Sequence, residues 1–118
     1  MSSRAYFEVP LRTSGGGNNR EHYMARARRV KRERTAVAWA LYGQARPALP
    51  VVVTLGRRAP SNGLDDDNLT QSLKPVRDQV AVWLGVDDRD PRVTWEYAQN
   101  RGPWAVAIFI EEREEVAA

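Results

Sequence analysis

All seven aspartates fall between Asp65 and Asp90, most of them in two tight groups: Asp65-Asp66-Asp67, and Asp87-Asp88 with Asp90. Unit charges about 4 Å apart repel by about 1 kcal/mol in water and about 4 kcal/mol at an effective dielectric near 20. Carboxylates crowded by a fold therefore call for a cation among them. The chain has no cysteine and one histidine, His22, so thiolate zinc sites, cysteine nucleophiles and histidine-rich metal centres are excluded. Two or three converging carboxylates make a hard-oxygen site suited to Mg²⁺ or Mn²⁺, which can activate water and neutralise charge on a phosphodiester. In an extended segment Asp65 and Asp67 point to one side and Asp66 to the other. Lys74, seven residues after Asp67, is two helical turns on and suits a developing negative charge or a leaving oxygen. The competing expectation is that Asp67 caps a helix and the other aspartates form a solvated turn. EF-hand spacing is absent, since neither the glycine nor the closing glutamate is in place.

The two groups meet only if the helix between them is followed by a chain that turns back. A strand after Asp90 pairing beside the strand before Asp65 would achieve this. Tyr6 to Val9 alternates as a first strand, and Ser14-Gly15-Gly16-Gly17-Asn18-Asn19 is a flexible loop, placed at residues 13–20. Val30, Val37 and Leu41 predict a helix from about Arg28 to Tyr42, stopped by Gly43. Val51 to Leu55 begins a buried strand. Leu69, Leu73, Val76, Val80 and Leu84 share a helical face, with Pro75 in the first turn if Ser72 is the N-cap and Gly85 at the end. Val93, Trp95 and Tyr97 alternate as a third strand, and Trp104 to Ile110 forms a fourth. Residues 111–118 are an acidic tail expected to fray. The expected architecture is one α+β domain over residues 1–118, in the order β-α-β-α-β-β, with two helices on a small mixed sheet.

Charge is divided unevenly. Residues 1–60 hold 12 Lys and Arg against 3 acids, whereas residues 61–118 hold 6 against 12. Arginine, suited to bidentate phosphate contacts, supplies 16 of the 18 basic residues. Such asymmetry points to a polyanion partner, and Arg26, Arg28, Arg29, Lys31, Arg32 and Arg34, with Arg57 and Arg58, are the candidate phosphate contacts. Trp39, Trp83, Trp95 and Trp104 sit in apolar periodic contexts and are expected in the core or a dimer contact. Glu96 is expected to be solvated. No apolar run reaches the roughly 18 residues of a membrane span, and no organic cofactor is expected.

From Leu64 to Tyr97 the sequence resembles the RusA-type Holliday junction resolvases. The resemblance rests on Asp65-Asp66-Asp67-Asn68-Leu69, Leu73-Lys74-Pro75-Val76-Arg77-Asp78 and Leu84-Gly85-Val86-Asp87-Asp88. The family pattern has an Asp-x-Asp-Asn-Leu, a nearby lysine, a mid-helix aspartate and a closing Asp-Asp. Asn18-Asn19-Arg20 before a basic segment is similar too. The resemblance implies a homodimeric, Mg²⁺-dependent endodeoxyribonuclease (Mn²⁺ as substitute) that nicks four-way or other branched DNA, DNA-associated in the cytoplasm of a bacterial or phage-infected cell. It implies Asp65, Asp67 and Asp88 as metal ligands, with Asp87 beside them. The family's lysine comes four residues after the second aspartate, where this chain has Gln71. Lys74 keeps the Lys-Pro-x-x-Asp context if three residues are inserted. The alternative is a non-catalytic basic nucleic-acid-binding module.

Overall fold

The computed structural model describes residues 4–15 and 21–113. The glycine loop beyond Gly15, Asn18-Asn19-Arg20 and the tail beyond Arg113 lie outside the described residues. The elements are β1 (Arg4–Val9), α1 (Tyr23–Leu41), β2 (Val51–Ala59), α2 (Asp66–Ser72), α3 (Lys74–Leu84), β3 (Val93–Arg101) and β4 (Ala105–Glu112). They form a single α+β unit whose four-stranded mixed sheet has the order β1-β4-β2-β3. β4 runs antiparallel to both β1 and β2, while β2 and β3 are parallel.

Alternation along β2 explains the layers. Val51, Val53, Leu55, Arg57 and Ala59 are buried, with only half-buried residues between them. Their face continues through Val106, Ile108 and Ile110 on β4 and Val93 on β3, and α1 and α3 pack over it. Each fully buried Val, Leu or Ile there contributes about 1.5–3 kcal/mol. Val37 and Leu41 of α1 and Val76 and Val80 of α3 are fully buried and close the layer.

Several elements depart from expectation. α1 starts five residues before Arg28, because His22 caps it, its Nδ1 accepting from the Met24 amide at 3.3 Å. The helix after Asp65 is two helices. Leu73 separates them, and Pro75, with no amide hydrogen, stands in the first turn of α3. Ser72 is not the N-cap; its hydroxyl donates to the Ser14 carbonyl at 2.7 Å, tying α2 to the segment after β1. Gly85 ends α3 in a left-handed conformation, φ 76°, and the Val86 amide closes on the Ala81 carbonyl. Glu111 and Glu112 do not fray: they belong to β4, opposite Val52 and Val51. Trp39 is 72% exposed, on the side of α1 away from Val37 and Leu41, so it is not a core residue.

Candidate functional site

The connection from β2 to α2 carries the first aspartate group. Gln99 on β3 clasps it: the Leu64 amide donates to the Gln99 side chain at 2.9 Å, and the Gln99 amide group donates to the Leu64 carbonyl at 2.7 Å. A Cβ at Gly63 would come within 2.9 Å of the Gln99 oxygen, so a side chain there would displace this clasp. Asp65 is the N-cap of α2, one oxygen accepting from the Asn68 amide at 2.8 Å and the other from the Asn68 side chain at 3.1 Å. The cap is therefore Asp65 rather than Asp67. Asp66 and Asp67 lie in the first helical turn, where carboxylates complement the free amides. All three are exposed. Because Asp66 and Asp67 are already helical, the alternation expected of an extended segment does not apply to them.

The second group lies between α3 and β3 and is held by arginines. Arg77 stacks on Trp95 at 4.8 Å and donates to the Tyr97 hydroxyl at 2.8 Å and the Asp88 carbonyl at 2.9 Å. The Trp95 indole donates to the same carbonyl at 3.1 Å. The Asp88 carboxylate is 3.8 Å from Arg77 Nε. Asp87 accepts from the Arg89 amide at 2.8 Å. Asp90 accepts from the Arg92 amide and guanidinium, which hold its pKa down to about 2.

β3 does pair beside β2, as the meeting of the groups required. The pairing is parallel, however, with Val51 opposite Val93, so the chain enters both strands at one end of the sheet and leaves β2 at the other. Asp65 follows the exit of β2, whereas Asp88 precedes the entry of β3. The first group is anchored at Gln99 and the second at Trp95, four residues apart along β3, or about 13 Å. Among the described residues no group of three or more His, Asp or Glu side chains is gathered closely enough to hold a metal ion.

Lys74 donates to both oxygens of Asp78, at 3.0 and 3.1 Å, rather than turning toward Asp67. The break at Leu73 removes the continuous two-turn spacing on which that expectation stood. Gln71 is exposed on α2.

Of the candidate phosphate contacts, Arg26, Arg28, Lys31 and Arg32 are exposed along the first half of α1. Arg29 is instead bound to Glu21 at 2.9 Å and Glu33 at 2.6 Å, and Arg34 donates to Gln79. Glu33, in the same half of α1, is fully buried; burial pushes its pKa up although Arg29 opposes it. Arg58 pairs with Glu8 at 2.6 Å, and Arg57 is buried. Glu96 is exposed, and no helix among the described residues is long and apolar enough to cross a membrane.

Arg77, Arg12 and Arg101 were not singled out in the sequence. Arg77 falls one residue after Val76 and three before Val80, a position flanking the apolar face, which was a usable signal. The chain matches no family model and no curated protein at a significant level.

Proposed function

We propose that this protein is a metal-dependent endodeoxyribonuclease acting on branched DNA, working as a two-fold dimer whose paired sites make paired nicks. The observation that carries the reading is the corner where β2 ends. There three exposed carboxylates follow directly on a cleft containing arginines, and no ion pair joins the two sets among the described residues. An acidic turn beside unneutralised guanidiniums suits a cation and a phosphate taken up together. The Asp-x-Asp-Asn-Leu and Asp-Asp elements, similar to the RusA-type resolvases, support the same reading.

The donor chemistry at Asp65 and Asp67 fits Mg²⁺, which commonly takes one or two carboxylates and completes its shell with water and substrate phosphate oxygens. Bound there, the ion would supply Lewis-acid polarisation and a water of lowered pKa. The chain's own groups do the rest. Asn68 fixes the Asp65 carboxylate through both oxygens, and Gln99 holds the turn against β3. Exposed Arg26, Arg28, Lys31 and Arg32 bind phosphates and orient the DNA without selecting sequence. Asp88 and Asp87, whose turn is anchored four residues back along β3, would join this site if the loop before β3 moved toward it on DNA binding.

The reading is tested with an end-labelled four-way junction and purified protein, in Mg²⁺ and in EDTA. Metal-requiring paired nicks are expected. The alternative reading is a non-catalytic basic nucleic-acid-binding module. That reading expects junction binding without Mg²⁺ and no nicks with either Mg²⁺ or Mn²⁺.

A further inference from the structure

Arg57 occupies an inward position of β2, in register with Val106 on β4 and Gln99 on β3, and is only 4% exposed. Its Nε donates to the Thr13 hydroxyl at 3.1 Å, and its guanidinium stacks 5.4 Å from the Trp104 ring. No carboxylate among the described residues pairs with it. Burial shifts its pKa downward. A second guanidinium, Arg12, stands 5.1 Å from the same ring. The hydroxyl and the ring face supply no countercharge, which an anion in the adjoining space would.

The space beside Arg57 is a cleft of about 290 Å³ at the C-terminal ends of the parallel pair. Ser61, Asn62, Asn100 and Arg101 line it, and no acidic residue does. In open parallel sheets ligands gather beyond the carboxyl ends of the strands, and this cleft has that position relative to the β2–β3 pair. Two guanidiniums with neutral hydroxyl and amide groups match the oxygens of a phosphate, which arginine contacts in bidentate fashion. Gly63 and Gln99 also line the cleft, and Asp65 follows two residues further along the chain.

We propose that this cleft is a phosphate-binding site, with Arg57 and Arg101 as its cationic groups, and that it takes a phosphodiester of a nucleic-acid strand running past Asp65. The anion site stands on its own geometry. Its assignment to DNA beside the aspartates rests on the function proposed above.

The test uses the full chain without divalent metal, so that it reads apart from cleavage. Thermal unfolding is compared in inorganic phosphate and in chloride at matched ionic strength, and anisotropy measures affinity for a labelled DNA duplex. Phosphate should raise the parent's Tm above its chloride value. Arg57→Met should abolish that difference while leaving the chloride Tm at or above the parent's, since an uncompensated buried charge is gone. A residue of merely structural value would lower it. DNA affinity should fall about tenfold or more in Arg57→Met, the scale of one charge-assisted contact, and by less in exposed Arg101→Ala. If Arg57→Met does not fold, Arg57→Lys and Arg101→Ala carry the same comparison. A phosphate effect lost in the variants with DNA affinity unchanged overturns the nucleic-acid assignment. Equal behaviour of parent and variants in both assays overturns the site.

Discussion

The two aspartate groups are alike in composition and opposite in circumstance. At Asp87–Asp90 the chain satisfies itself: Arg77 and Trp95 hold the Asp88 carbonyl, the Arg89 amide serves Asp87, and Arg92 serves Asp90. At Asp65–Asp67 three carboxylates are exposed, and Asn68 binds that of Asp65 while no ion pair among the described residues reaches any of the three. Carboxylates that carry their own arginines have less to gain from a cation than carboxylates that do not. The second turn thus holds its shape by its own contacts, and under the proposed function the first is where a cation would be taken up.

The sharpest way to break this contrast is to neutralise one member of each group. Asp67→Asn should lower Mg²⁺-dependent nicking by about a thousandfold or more, the scale of losing a group that organises developing charge, while junction binding persists. Asp90→Asn should leave nicking within about threefold, because its partner Arg92 lies in the same turn. Gel assays of nicking and of binding read both. Equal losses in the two variants would erase the distinction.

Arg77→Met should act at intermediate scale. Losing the tether on the Asp88 carbonyl and the Tyr97 hydroxyl should cost about 1–3 kcal/mol in a denaturant titration. If Asp88 assists the metal when DNA is bound, the apparent Mg²⁺ requirement should also rise about 10- to 100-fold, as when a ligand's supporting partner is lost. Arg77→Lys should recover part of the stability and little of the metal requirement.

The smallest effects are in pH dependence, and their signs oppose one another. Asp90 has its pKa depressed to about 2, so its stabilising contribution is full above the ordinary aspartate range and is lost as pH falls from there through about 2. Glu33 has its pKa raised by burial, so its protonation favours the fold. The folded state gains below the ordinary glutamate range, and that gain disappears as pH rises through the folded value. Unfolding curves of Asp90→Asn and Glu33→Gln against pH should each lack one of these slopes.

Much of the fold was legible because period and punctuation agreed. Val51 to Leu55 is a buried strand, Val37 and Leu41 face the core, and Gly85 ends α3. The split at Leu73 was hidden because Leu69, Leu73, Val76, Val80 and Leu84 keep a helical rhythm across it, and all five are buried. The two-turn spacing from Asp67 to Lys74 fails at the same break. Arg57 was named from its charge, yet its burial was written in the alternation Val51, Val53, Leu55, Arg57, Ala59, as Glu33 was in its spacing from Val37 and Leu41. The direction of β3 relative to β2 is a long-range pairing with no local signature, and it sets the two aspartate groups at opposite ends of that pair.

The most direct measurement is a Mn²⁺ titration followed by electron paramagnetic resonance, with the protein saturated by uncut DNA. A bound Mn²⁺ signal is expected in the parent and in Asp90→Asn, and its disappearance in Asp67→Asn. A parent that leaves all the Mn²⁺ free, or an Asp67→Asn variant that binds it as the parent does, would contradict a cation seat at the exit of β2.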